Sequence, residues 1–246
     1  MTSSWNPASR LEEFPELVAA ARASVAERAP AAPAILQSSL APDGWRLEGV
    51  ATQRLLEKLR RAGRPLGDYV GGRFYYGIKT GFNEAFVVDR ATRDQLIAEH
   101  PSSAELLKPY LRGRDVKRWH VVSPDLWLIF ARRGIDIRRY PAILRHLTQY
   151  KDGLMPGAVG GRKPGSYEWY EIQDNVAYWQ EFEQPKIILG RFMIQATFAL
   201  DKEGYFNNDA LYIISGANEY VTGVINSSVS WWFLKQICTD LQNGYI

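Results

Sequence analysis

A glycine-flanked turn carries side chains that can bind a phosphate or the edge of a base. The stretch YYGIKTGFNEAFVVD occupies residues 75–89, and two of its glycines surround Lys79 and Thr80. Phosphate oxygens and base edges bind to such a lysine, to a hydroxyl, to the amide of Asn83 and to backbone N–H groups. Tyr76, at the start of the stretch, is a further candidate contact. The alternative is a structural hairpin, in which the glycines adopt positive φ and Asn83 caps the turn.

The segment from residue 112 to residue 151 is strongly basic. It has ten lysines and arginines against three aspartates, a local net charge of +7, whereas the whole chain has a net charge of +3. Such an excess suggests a polyanionic partner, because arginine forks match phosphates and guanine edges. A solvated basic face balanced by acids elsewhere is the alternative. The candidate contacts in this segment lie within KPYLRGRDVKRW: Arg112, Arg114, Lys117 and Arg118.

A loop rich in glycine and proline adds two more cations. GAVGGRK ends in Arg162 and Lys163, but it lacks the four-residue gap before Gly-Lys-Ser/Thr that a phosphate-binding loop has. We interpret it as a mobile loop, with Arg162 and Lys163 as candidate nucleic-acid contacts. Arg191, which follows the apolar run KIILG, completes the set of candidates.

Catalytic signatures are absent from the sequence. The three histidines have no metal-ligand spacing with each other or with the single cysteine. Asp115 and Lys117 have the acid-x-lysine spacing of many metal-dependent nucleases, although no suitable pair of acids precedes them. The Asn-Pro-Pro-aromatic site of amino-methylating enzymes is missing, since Asn6-Pro7 is followed by alanine. We therefore expect no catalytic residue and no metal site in this chain.

The composition is that of an ordinary globular protein. The 246 residues are 46% hydrophobic and 23% charged, and they suffice for one large domain or two small ones. With one cysteine no intramolecular disulfide forms, which fits the reducing cytoplasm. No apolar run of 18 residues and no signal-peptide pattern is present, so neither a membrane span nor export is predicted.

The order of elements predicts an α+β fold, with a mixed, mainly antiparallel sheet and peripheral helices. Val50 to Ala62 is a predicted helix that Gly63 stops, and several short strands follow at hairpin-length spacing. Ser102 to Tyr110 is predicted to be a short helix. Glu219 to Thr239 is predicted to be one closing helix.

The N-terminal region differs from the rest in composition. Leu11 to Ala29 predicts a helix, and Pro30 to Gly44 is rich in Pro, Ala and Ser, which is typical of a linker. We therefore predict an N-terminal helix and linker over residues 1–44 and one domain over residues 45–246. The abrupt end in LQNGYI favours a piece of a longer protein.

Several of these stretches together resemble one known family. YYGIKTGFNEAFVVD followed by LLKPYLRGRDVKRW, and later PKIILGRF, FALDKEGYFNNDALYII and YVTGVINSSVSWWFLKQ, are similar to the TaqI-like C-terminal specificity domain. GWRLEG and the helix LLEKLRRAGRPLGDYV resemble its lead-in. This domain occurs in adenine-specific DNA methyltransferases, including the fused restriction-and-modification enzymes called type IIG. The resemblance covers Trp45 to Ile246.

The resemblance implies a target-recognition domain for double-stranded DNA. Its partner is then an N-terminal methyltransferase domain, in the same parent protein or in a partner subunit, which holds S-adenosylmethionine. This chain would bind no cofactor of its own, and phage defence is the implied role. Two alternatives stay open: a domain that docks a partner enzyme without touching DNA, and a metal-dependent nuclease. The cations expected to contact phosphates are Lys79, Arg112, Arg114, Lys117 and Arg118, and Asn83 and one arginine are expected to read bases.

Overall fold

The computed structural model describes residues 49–159, 161–239, 241 and 245–246, together with the single positions 19 and 23. The chain divides into two compact units, residues 1–63 and residues 64–246. The predicted helix over 11–29 and the linker over 30–44 lie outside the described residues, apart from two exposed helical alanines. The domain boundary predicted at residues 44–45 also lies outside them and stays a prediction.

The described part of the first unit is a helix, α1, at Val50–Ala62. Its bounds are those that the sequence predicts. Gly63 ends it, and the Gly63 N–H donates to the Leu59 carbonyl at 3.1 Å. Two arginines in its last turn lie where the helix dipole favours positive charge.

The second unit is built on two sheets with short helices around them. Its strands are β1 Phe74–Tyr76, β2 Val87–Asp89, β3 Leu107–Leu111, β4 Leu126–Ile129, β5 Lys186–Gly190, β6 Phe198–Asp201, β7 Phe206–Asn207 and β8 Leu211–Ser215. Its helices are α2 Leu66–Tyr69, α3 Asn83–Phe86, α4 Arg90–Glu99, α5 Pro141–Thr148, α6 Lys151–Leu154, α7 Gln180–Glu183, α8 Glu219–Ile225 and α9 Ser228–Ile237.

Within the described residues the strands form two four-stranded sheets. The first has the order β1-β8-β5-β6 and is antiparallel throughout. The second has the order β2-β4-β3-β7, in which only the β3–β7 pair is parallel. The predicted fold class, α+β with mainly antiparallel sheet and peripheral helices, is confirmed. None of the described helices is long and apolar enough to cross a membrane.

The turn at residues 77–83 does not close a hairpin. β1 pairs with β8 in the first sheet, whereas β2 pairs with β4 in the second, and α3 lies between them. The chain therefore crosses from one sheet to the other at this turn. The hairpin alternative was wrong, because β1 and β2 each pair with a strand that is distant in sequence and not with each other across the turn.

Two helix predictions need correction. Ser102 to Tyr110 is a 3₁₀ turn at Pro101–Glu105 followed by β3, which lies between β4 and β7 with most of its side chains buried. Glu219 to Thr239 is two helices, α8 and α9, because Ser227 starts a new helix by accepting a hydrogen bond from the Ser230 N–H at 3.1 Å.

Candidate nucleic-acid interface

The 77–83 turn is held against the turn that connects β7 to β8. The Gly77 N–H donates to the Leu211 carbonyl at 2.9 Å, and the Ile78 N–H donates to the Asn207 carbonyl at 2.7 Å. A Cβ atom at Gly77 would lie 1.8 Å from the carbonyl oxygen of Asn208. Glycine is thus required here because the two backbones approach so closely.

Thr80 points inward and organises the turn. Its side chain is 1% exposed, its hydroxyl donates to Asn83 Oδ1 at 2.7 Å, and its Oγ1 accepts from the Phe82 N–H at 3.2 Å. Gly81, between these residues, has a φ of +82° that favours glycine. This corrects the expectation that the turn presents the hydroxyl outward: Thr80 shapes the turn, while Asn83 remains exposed.

Lys79 is exposed on a well-anchored backbone. Its N–H donates to Asp174 Oδ2 at 3.0 Å, and its carbonyl accepts from the Asp174 N–H at 3.2 Å. Burial raises the pKa of Asp174, and the Lys79 N–H and the lysine charge oppose that rise. The ammonium group of Lys79 therefore extends from a fixed position beside a partly buried carboxyl group.

The basic loop after β3 is closed by Asp115. This carboxylate accepts from the backbone N–H, Nε and Nη2 of Arg112 at 2.8, 3.0 and 3.2 Å. Arg112 is thus held in a partly buried ion pair, which corrects its expected availability to phosphate. The same contacts give Asp115 a structural role in this loop. Arg114, between the two, is exposed.

The loop continues into a small hairpin tip at residues 117–120, bounded by a bridge between Val116 and Val121. The Lys117 N–H donates to the His120 carbonyl at 2.9 Å and closes the tip. Arg118 donates to the Asn226 carbonyl at 2.7 Å, so its guanidinium is anchored at the end of α8 with further donors available. Lys117 is exposed.

Arg162 and Lys163 are neighbours with opposite placements. Arg162 is 2% exposed and donates to the carbonyls of Leu154, Trp169 and Glu171, and burial lowers its pKa. It therefore pins the loop that the sequence suggested was mobile, and it is not available to DNA. Lys163 is exposed, and its N–H donates to Gln173 Oε1 at 3.3 Å.

Arg191 and Tyr76 are both exposed beside the β7–β8 turn. The Arg191 N–H donates to the Ala210 carbonyl at 2.9 Å, and its guanidinium lies 5.3 Å from the Phe192 ring. The Tyr76 side chain is 67% exposed and packs edge-on against Tyr212, with ring centroids 5.1 Å apart.

The β7–β8 turn brings several candidates together. Besides the 77–83 turn and Arg191, it contacts the end of β3, where the Asn208 N–H donates to the Leu111 carbonyl at 3.3 Å. Lys163 joins the 77–83 turn through Gln173, whose N–H donates to the Thr80 carbonyl at 3.1 Å. The 117–120 tip lies instead at the start of β6, where the Trp119 N–H donates to the Phe198 carbonyl at 3.0 Å.

Ion pairing divides the exposed cations into two groups. Several are paired with carboxylates, such as Arg138 with Asp136, Arg145 with Glu99 and Lys202 with Glu219. In the part of the chain that the structure describes, five candidate cations are exposed and have side chains that make neither a hydrogen bond nor an ion pair. These five, the uncommitted cations, are Lys79, Arg114, Lys117, Lys163 and Arg191.

Sequence reasoning missed three features of this surface. The β7–β8 turn was not selected, although Asn-Asn-Asp between two apolar runs is a turn signal. Asp174 has no local signal, because its role depends on Lys79, which is 95 residues away. Trp119 was not selected as a candidate contact, although its side chain is half-exposed beside the basic loop. Among the described residues no cluster of three or more His, Cys, Asp or Glu could hold a metal ion.

Comparison with known proteins identifies the family. No curated protein matches the sequence. Among solved structures, the chain is similar to the Type IIL restriction-modification enzyme MmeI in complex with DNA, at 16% sequence identity and a TM-score of 0.43. That similarity covers 63% of this chain and 20% of MmeI, so the chain spans about a fifth of that enzyme.

The sequence model of the TaqI-like C-terminal specificity domain matches residues 108–246, so the resemblance noted for residues 45–107 stays a prediction. Because this match extends over more than half of the sequence, the chain belongs to the TaqI-like C-terminal specificity domain family.

Proposed function

We propose that this chain is the module that selects the DNA sequence in a restriction-modification protein. The observation that carries the proposal is the family match over residues 108–246. The catalytic work belongs to a separate methyltransferase domain, in the same parent protein or in a partner subunit, which binds S-adenosylmethionine. The parent is then a site-specific adenine-N6 methyltransferase of the type IIG kind, cytoplasmic and used in phage defence. Any DNA cleavage would also be an activity of the parent protein and not of this chain.

The uncommitted cations support a DNA-binding surface. A lysine or arginine already paired with a carboxylate gains less from a phosphate, because the existing partner must first be displaced. Lys79, Lys163 and Arg191 lie around the 77–83 and β7–β8 turns, and the backbone N–H of each is hydrogen-bonded. These positions suit phosphate contacts that fix the register of the protein on the duplex.

Base reading is assigned to two exposed side chains in the same region. Asn83 has its Oδ1 engaged by the Thr80 hydroxyl, which orients the amide and leaves its nitrogen as the outward donor. Arg114 projects from the loop that the Arg112–Asp115 pair closes. An orientation fixed in advance favours specific reading, because less side-chain entropy is lost on binding.

The experiment is selection from a randomised duplex pool with the full chain, followed by binding of the enriched duplex at several salt concentrations. Each neutralised phosphate contributes about −0.9 to the log–log salt slope, so phosphate contacts from the four uncommitted cations other than Arg114 predict a slope of about −3.6. An enriched motif of a few base pairs establishes sequence reading by this chain. No binding by a folded sample contradicts the proposal and favours the docking alternative.

Two matched variants sharpen the test. Lys79→Ala should weaken binding to all duplexes alike and flatten the slope by about 0.9 if it contacts phosphate. If Lys79 reads a base, the loss of roughly 1–3 kcal/mol should fall on one position of the motif. Lys202→Ala is the control, because this lysine is also exposed but is paired with Glu219. Equal effects from both variants would show that only net charge matters.

A further inference from the structure

The 117–120 tip exposes four neighbouring side chains, of which three carry or can carry positive charge. Lys117, Arg118 and His120 surround Trp119, whose side chain is 49% exposed. The Arg118 guanidinium lies 5.0 Å from the centre of the Trp119 ring, within the range of a cation–π contact. An apolar ring is therefore presented inside a cationic rim.

Trp119 adopts a backbone conformation that bulky residues avoid. Its φ is +79°, in the left-handed region where glycine and asparagine are usual. Contacts on both sides impose this conformation: the Trp119 N–H donates to the Phe198 carbonyl, and Arg118 donates to the Asn226 carbonyl. A tip with only a structural role would be more stable with glycine at this position. Such strain at an exposed aromatic residue is typical of a functional contact.

We propose that Trp119 is the apolar wedge of the DNA interface, entering a groove and partly unstacking one base step while Lys117 and Arg118 hold the flanking phosphates. This inference rests on the proposed function and adds a second kind of contact to it. The π face and cationic rim fit a nucleic acid, because bases stack on aromatic rings and phosphates bind the cations. A wedge contact differs from a phosphate contact in being nearly independent of salt.

The test uses the enriched duplex with 2-aminopurine placed at each position in turn, together with binding at several salt concentrations. The wild-type chain should raise the fluorescence at one base step. Trp119→Ala should abolish that rise and weaken binding roughly tenfold, with the salt slope unchanged. Trp119→Phe should keep most of both effects. Lys117→Ala should keep the fluorescence rise and flatten the slope by about 0.9.

Two further variants separate the wedge from the fold. Trp119→Gly should unfold at a higher denaturant concentration than Trp119→Ala, because glycine accepts the positive φ, yet both should bind DNA equally weakly. Tyr220→Ala is the matched control, since Tyr220 is 73% exposed but lies beside the acidic Glu219. Its binding and fluorescence should equal those of the wild type.

The outcomes distinguish this inference from the proposed function. If the wild type binds its motif and Trp119→Ala keeps both the affinity and the fluorescence rise, the wedge is wrong and the recognition function stands. If Trp119→Ala flattens the salt slope, Trp119 acts only by orienting Arg118, which also contradicts the wedge. If the folded wild-type chain binds no duplex, both proposals fall.

Discussion

The adjacent residues Arg162 and Lys163 should have opposite phenotypes. Arg162 is buried and donates to the carbonyls of Trp169 at 3.1 Å and Leu154 at 3.3 Å, and also to that of Glu171. Arg162→Met keeps much of the side-chain volume but removes every donor. We expect this variant to be destabilised and Lys163→Ala to be unaffected in stability.

The magnitude follows from the three carbonyls that lose their partner. A buried acceptor left unsatisfied costs about 1–3 kcal/mol, so three give at least about 3 kcal/mol. The guanidinium also lies over the rings of Tyr167 at 4.3 Å and Phe86 at 5.4 Å. Removing a buried charge offsets part of this loss, because its desolvation is no longer required. We therefore expect Arg162→Met to lower the free energy of unfolding by about 3 kcal/mol.

Urea unfolding followed by tryptophan fluorescence measures this change, with m-values compared to check that the same transition is observed. Lys163→Ala should stay within about 0.5 kcal/mol of the wild type, as exposed substitutions usually do. In DNA binding the order reverses: Lys163→Ala should flatten the salt slope by about 0.9, because one phosphate contact is lost. An Arg162→Met protein of wild-type stability with a flattened slope would refute the structural assignment and restore Arg162 to the DNA-binding set.

Three more predictions concern neighbouring contacts. Burial raises the pKa of Asp174, so the folded protein holds its proton more tightly than the unfolded chain and stability falls as pH rises through that pKa. Asp174→Asn still accepts the Lys79 N–H but removes the buried negative charge, so it should be more stable than the wild type at pH 7. Because that charge lies beside Lys79, the variant should also bind DNA more tightly. In urea titrations its gain in stability should vanish below about pH 3.9, where the carboxyl group is protonated in both the folded and the unfolded wild type. Asn226→Ala removes two hydrogen bonds: the Asn226 amide donates to the Phe198 carbonyl at 2.8 Å and accepts from the Phe198 N–H at 3.3 Å. Their loss should lower the free energy of unfolding by about 2 kcal/mol, measured by thermal unfolding. Burial lowers the pKa of His146, so stability should fall as pH drops below about 6.5, and His146→Gln should show a smaller loss between pH 7.5 and 5.5.

Local signals predicted the elements whose structure is decided locally. The helix at Val50–Ala62 was predicted with its observed bounds, since its periodic leucines and the glycine that follows are adjacent in sequence. The short apolar run from Leu126 to Phe130 also predicts a buried strand, and the structure has one at Leu126–Ile129. The helix predicted for Ser102 to Tyr110 was wrong for the opposite reason. Its apolar residues fit a helical period, but pairing with two distant strands decides the structure of β3.

The candidate site shows the same limit more sharply. Sequence predicted which segments carry cations, but it could not separate Arg162 from Lys163. Both are basic, and both lie in one loop. The separation depends on three carbonyls that the folded loop directs at one side chain. Arg112 is a similar case: only the folded loop shows that Asp115 holds its guanidinium.

Along the chain, the candidate interface alternates two kinds of residue. Buried or paired residues, here called the frame residues, hold the backbone in place, and exposed residues next to them face outward. Lys79 precedes the buried Thr80, Arg114 lies between the paired Arg112 and Asp115, and Lys163 follows Arg162. Each uncommitted cation here thus projects from backbone that its sequence neighbour holds in place. Substitution of an outward residue should change DNA contacts with little effect on stability, whereas substitution of its neighbour should destabilise the loop that presents it. We therefore expect new sequence preferences to be obtained by changing the proposed base-reading residues Asn83 and Arg114, with the frame residues kept.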